Sequence, residues 1–242
     1  MSKLVVANWK MNPASLREAV KLAKACDKKG TVIAPPFVFL EEVGRTLKKA
    51  ALGAQNVSYE SAGAHTGDIS VRQLKSLGVK YAIIGHSERR ASGETDAVIN
   101  KKIKAALAGG LKVILCVGEK WSIRKKGIAA AKKFAASQFK RDLEGIISSN
   151  LKAPDLIIAY EPVWAISTGK NDNPENASEM AIFIKKQITL IHKSKGIKVL
   201  YGGSVNAKNA RSFLKAKNID GLLVGGASLS SKEFGKIIKL NT

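Results

Sequence analysis

The chain has 242 residues, 45% of them hydrophobic and 25% charged, and its 41 Lys plus Arg against 19 Asp plus Glu give a formal net charge of +22. That balance can bury a sizeable core and excludes a disordered, collagen-like or disulfide-stapled chain. The longest apolar runs, such as 156–160, are about five residues, far short of the roughly 20 that cross a bilayer.

Taken in chain order, β-branched runs alternate with segments of helical spacing. The first run, 4–7, ends in Asn8-Trp9-Lys10. Asn12-Pro13-Ala14-Ser15 then supplies cap chemistry for a helix carrying Leu16, Val20 and Ala23, closed by Gly30. Runs 31–34, 52–57 and 81–84 follow, the last leading into Gly85-His86-Ser87-Glu88-Arg89-Arg90. A helix with Val98, Ile103 and Leu107 precedes run 113–117, and run 156–160 leads into Glu161-Pro162-Val163-Trp164. Asn173-Pro174-Glu175 opens a helix with Ile182, Ile188 and Ile191. Runs 199–201 and 221–224 end in Gly202-Gly203-Ser204 and Gly225-Gly226-Ala227-Ser228. Eight strands at about 30 residues per unit have the size of a βα repeat, so 1–242 is expected to form one α/β domain, a closed (β/α)8 barrel.

In such a barrel chemistry collects where the strands end. Asn8, Lys10, His86, Glu88 and Glu161 all fall there. Two Gly pairs after the last two strands would let backbone N–H groups approach an anion, making a phosphate cup. No His/Cys/Asp cluster has ligand spacing and no Gly-x-Gly-x-x-Gly follows a strand, so neither metal nor organic cofactor is expected. Of the cations 33 are Lys and eight are Arg. They are dispersed along the expected helices, which reads as solvated faces rather than a base-reading surface; a membrane partner is not expected either. The start, 1–10, lacks a signal-peptide pattern. With only Cys26 and Cys116, the reading is a cytoplasmic protein with both thiols buried.

From end to end the chain resembles the triosephosphate isomerase family, whose fold is the TIM barrel. The resemblance rests on Asn8-Trp9-Lys10-Met11-Asn12, Gly63 to Gly67 with Thr66, Gly85 to Arg90, Cys116-Val117-Gly118-Glu119, Ala159 to Ala165, Tyr201 to Asn206 and Val224 to Leu229. It implies interconversion of dihydroxyacetone phosphate and D-glyceraldehyde 3-phosphate through an enediolate, in glycolysis and gluconeogenesis. It also implies Glu161 as the base, His86 as a neutral electrophile, Lys10 as a fixed cation and Asn8 as a positioning amide. Acid/base tuning of this kind and closure of a lid are established traits of that enzyme family. Glu88 is read as pairing with Lys10, with the proton shuttle as its alternative.

Residues Pro162, Val163, Trp164, Ala165, Ile166, Ser167, Thr168, Gly169 and Lys170 resemble the family's lid. Ile166 and Leu223 would press on the base. Ser204, Gly225 and Gly226, with Ser167 from the lid, would bind phosphate. Thr66 sits in the loop that the family inserts into a second subunit, implying a homodimer. The chain departs from the family pattern in five places: Ser167 for the usual Gly at the lid tip, a shortened 91–94 without its aromatic, Lys185 where an Arg commonly reaches Asp220, and, in the third loop, His65 for an aromatic and Asp68 for a Glu. Two rivals stand beside the isomerase: a polyanion-binding barrel, revealed by sequence-blind binding that falls steeply with salt, and a phosphate-binding barrel without catalysis.

Overall fold

A computed structural model describes residues 3–146, 155–166, 172–192 and 196–240. The strands are β1 (Leu4–Asn8), β2 (Thr31–Ala34), β3 (Ala51–Ala54), β4 (Tyr81–Ile84), β5 (Lys112–Val117), β6 (Leu156–Tyr160), β7 (Lys198–Tyr201) and β8 (Gly221–Val224). Each pairs in parallel with the next, and β8 closes on β1 through the register Val6 opposite Leu223. All eight therefore end on one rim. The helices around them are α1 (Leu16–Cys26), α2 (Leu40–Thr46), α3 (Val71–Ser76), α4 (Ser87–Ala91), α5 (Asp96–Ala108), α6 (Trp121–Arg124), α7 (Ile128–Asp142), α8 (Pro174–His192), α9 (Ala210–Lys215) and α10 (Ser231–Lys239). The chain is a (β/α)8 barrel.

The period of two along each strand divides the core. Val6, Val32, Ala34, Ile83, Ile114, Cys116, Ile157, Ala159, Leu200 and Leu223 fill the barrel, and the alternating Val5, Ala7, Ile33, Ala82, Leu115 and Ile158 pack outward against helices. Ser15 caps α1 and Asn173 caps α8, each accepting a backbone N–H of the first turn.

One expectation is corrected. The third strand is Ala51–Ala54 rather than 52–57, and just past it the Gln55 side-chain amide donates to the carbonyls of Lys10 at 2.8 Å and Ala34 at 2.9 Å. The apolar spacings that mark these helices in the sequence coincide only in part with their buried faces. In α1 the buried residues are Ala19, Leu22, Ala23 and Cys26, while Leu16 is exposed. In α5 Ile99, Ile103 and Ala106 are buried, and in α8 Ile184 and Ile188 are, with Ile182 and Ile191 exposed.

Candidate active site

Strand β4 delivers His86 through Gly85, whose φ of +71° is a conformation that side chains rarely adopt. His86 itself is the N-cap of α4, and the Glu88 backbone N–H donates to its Nδ1 at 3.2 Å. Only an unprotonated nitrogen accepts such a bond, so this contact favours the neutral ring with its proton on Nε2. That nitrogen lies 3.1 Å from Glu161 Oε1. Burial disfavours the charged imidazole, but the Glu161 carboxylate and its hydrogen bond favour it, with Glu88 adding and Lys10 opposing. The balance lies above the ordinary imidazole value. A ligand that drew Glu161 away would remove the main raising influence and leave burial to favour the neutral form.

Glu161 follows β6 directly. Its N–H donates to the Val117 carbonyl at 2.7 Å, and its carboxylate accepts the Ser87 N–H at 3.2 Å. The residue is 2% exposed. The space is shaped by neighbouring glycines: a Cβ at Gly118 would stand 1.7 Å from the Glu161 carbonyl oxygen, and one at Gly202 would stand 2.9 Å from its Cγ. Beneath it, burial first and the Glu161 charge second push the Cys116 thiol well up, so it stays a neutral, small side chain.

Lys10 takes φ of +52° after β1. Its Nζ meets Glu88 Oε1 at 2.5 Å, and its N–H donates to Asn8 Oδ1 at 3.1 Å. Glu88 is thus placed as the partner of Lys10, with its second oxygen 3.6 Å from His86 Nδ1. Asn8, Lys10, His86 and Glu161 open onto one cleft of about 230 Å³, which Ile166, Leu223, Ser204, Gly225 and Gly226 also line. Thr66 does not line it; it belongs to the exposed stretch 61–68.

Beyond Glu161 the chain passes Pro162 into a 3₁₀ turn, Val163–Ala165. The Trp164 indole donates to Glu119 Oε1 at 3.0 Å. Both the Ser204 N–H, at 3.1 Å, and its hydroxyl, at 2.6 Å, donate to the Ala165 carbonyl, so neither is directed to an anion in this arrangement. Ser167, Thr168, Gly169 and Lys170 lie outside the described residues. The Lys185 ammonium meets Asp220 at 2.7 Å. Among the described residues no three His, Cys, Asp or Glu side chains gather as metal ligands.

Four contributors were not assigned as site residues from the sequence. Ser87 and Gln55 act through one backbone N–H and one side-chain amide, Gly118 acts by lacking a side chain, and Glu119 acts through Trp164. Ser87, Gly118 and Glu119 stood within the motifs, yet a hydrogen-bond partner or a close approach leaves no mark in residue type alone.

A family model described as triosephosphate isomerase matches residues 3–241. Relatives bearing that name include those of Dictyoglomus thermophilum, 44% identical over 98% of this chain and 98% of the relative, and Aquifex aeolicus, 43% identical over 98% and 99%. The Treponema denticola protein of the same name is 46% identical over 95% of each chain.

Proposed function

The chain belongs to the triosephosphate isomerase family, and from that premise we propose that Glu161, His86, Lys10 and Asn8 carry out its reaction. The reaction interconverts dihydroxyacetone phosphate and D-glyceraldehyde 3-phosphate, a step of glycolysis and gluconeogenesis, by moving a proton between adjacent carbons through an enediolate. Glu161 takes the proton from carbon. His86 donates Nε2–H to the carbonyl oxygen and then to each enediolate oxygen in turn; a neutral ring suits this, since an imidazolium would be too strong an acid to return the proton. Lys10, held by Glu88 and Asn8, supplies positive potential to the phosphate and the developing oxyanion.

The observation that carries the reading is the 3.1 Å contact of the Glu161 carboxylate with His86 Nε2 inside a cleft that also holds Lys10. The backbone at Gly225 and Gly226 would bind the phosphate. Ser204 joins it only if Ala165 gives up its two hydrogen bonds, which is a movement of the segment 162–170 acting as a lid. Closing that lid excludes water and keeps the enediolate from losing phosphate. Ile166 and Leu223 then press on the carboxylate.

The homodimer is part of the same reading. The stretch 61–68 around Thr66 is exposed, and Met11 and Val38 stand 93% and 83% exposed, an apolar surface that a second copy would cover. A cytoplasmic home fits the two buried, unpaired thiols. No described helix is long and apolar enough to cross a membrane.

The test is a coupled assay on glyceraldehyde 3-phosphate with wild type and Glu161→Gln. The variant is expected to lose at least about 1,000-fold in kcat, with KM little changed. A variant within tenfold of wild type would remove Glu161 from the role of base.

A further inference from the structure

Behind the cleft, a second group of buried charges ties together the two ends of the segment that follows Glu161. Glu119 is fully buried; its Oε1 accepts from the Trp164 indole at 3.0 Å and the Tyr160 hydroxyl at 3.1 Å. The same Oε1 faces Arg124 Nη1 at 3.8 Å, and Arg124 Nη2 faces Asp172 Oδ1 at 3.9 Å. Both distances exceed hydrogen-bond reach. The guanidinium also lies over the Trp164 ring, 5.6 Å from its centroid. Asp172 is 4% exposed; its Oδ1 accepts the Asn173 N–H at 3.0 Å and the Asn176 amide at 3.1 Å. Arg124 Nη1 and Asp172 Oδ2 are buried without a hydrogen-bond partner.

Arg124, its side chain 10% exposed, is therefore a largely covered cation suspended between two buried carboxylates, with an unspent Nη1 on one side and an unspent acceptor on the other. Trp164 lies three residues after Glu161, and Asp172 lies where the chain enters α8. We propose that Asp172 is a positioning residue for the reaction: by drawing Arg124 toward itself it keeps the guanidinium off Glu119 Oε1, so that Trp164 retains its partner and Glu161 its place. This inference rests on Glu161 being the base.

The physical reason is competition for one oxygen. A guanidinium freed from Asp172 would turn to Glu119, the other carboxylate it faces among the described residues, because an unpaired buried charge is costly. A charge-assisted bond to Glu119 Oε1 would outcompete the neutral indole donor, taking that bond from Trp164 and loosening the turn Val163–Ala165 that follows Glu161. Among the described residues the Tyr160 and Tyr201 hydroxyls, from β6 and β7, also face Asp172, and these cannot replace its charge.

The test compares Asp172→Ala, Arg124→Met and the double variant with wild type and with Glu161→Gln, reading kcat, KM, thermal midpoint and Trp fluorescence. Asp172→Ala is expected to lower kcat by about tenfold or more with a smaller change in KM, and to shift Trp emission. Removing Arg124 from that variant removes the competitor, so the double variant recovers most of the lost kcat, a non-additivity that simple loss of packing does not produce. The inference is overturned if Asp172→Ala matches wild type, or if the double variant falls below both singles. Should Glu161→Gln keep wild-type turnover, the assignment of the base fails and takes this inference with it; should it be inactive while Asp172→Ala is silent, only the positioning role fails.

Discussion

The corner after β4 and the segment after β6 meet across the same cleft, yet they are held in opposite ways. At the β4 corner His86 and Arg90 are fastened chiefly by partners other than the segment after β6. His86 is fixed by the Glu88 N–H, and the Arg90 guanidinium donates to the Gly85 and Cys116 carbonyls and to Asp96 and Asp142. After β6 the carboxylate of Glu161 is held by contacts borrowed from that corner, the Ser87 N–H and the His86 ring, and Trp164 hangs from Glu119. The contrast is one of anchoring: on the proposed roles, a firmly held electrophile would face a base that has to leave its resting partners to react.

The largest effect expected from breaking this contrast is at Arg90. Arg90→Met would leave Asp142 buried without its cation; burial already pushes that carboxyl up to about 7 despite Arg90. Loss of about 3–5 kcal/mol in urea unfolding is expected, and a change under 1 kcal/mol would show that the corner is not held by this pair. Next is His86→Gln, expected to reduce kcat by about 100-fold or more with the fold intact; near-normal turnover would refute the electrophile.

Ser87→Pro sharpens the contrast from the other side. Position 87 opens α4, where proline fits, and His86 already has extended backbone angles, φ −53° and ψ 142°. The change removes the N–H that Glu161 rests on, and kcat/KM is expected to shift by about tenfold or less while the melting temperature barely moves. Collapse of the fold would show that the contact is structural.

Acid titration comes next in size. Because Glu161 raises the His86 value in the free protein, protonation of His86 with falling pH removes the neutral ring at a higher pH than for free imidazole. Bound substrate separates the pair, so the acid limb of kcat/KM is expected at higher pH than that of kcat. Coincident limbs would mean that the His86–Glu161 contact survives in the complex. The smallest change is expected at Lys185→Arg: its pair with Asp220 is about a third exposed, and a fork in place of a point charge adds at most about 1 kcal/mol to stability.

The barrel was legible because strand period, helix punctuation and unit length all agree. Asn8, Lys10, His86 and Glu161 could be proposed from the sequence because each stands at the end of a strand or within two residues of it, where topology fixes position. What stayed hidden was orientation. The spacings that mark α1 and α8 include Leu16 and Ile182, which are exposed, whereas Ala19 and Ile184 are buried. The glycine pairs read as a phosphate cup also make room for protein: a Cβ at Gly225 would stand 3.3 Å from Lys10 Cε. Likewise Glu119 and Arg124 gain meaning only from Trp164 and Asp172, about 40 or more positions further along the chain, which the barrel brings beside them.

The most direct test is a crystal structure of the protein with a dianionic mimic of the enediolate. The account predicts that Glu161 leaves the Ser87 N–H and His86 to lie over the mimic's carbon skeleton, with His86 Nε2 bonded to its oxygens and Ser204 released from Ala165. A complex in which Glu161 still rests on Ser87 and His86, with the mimic bound elsewhere, would contradict it.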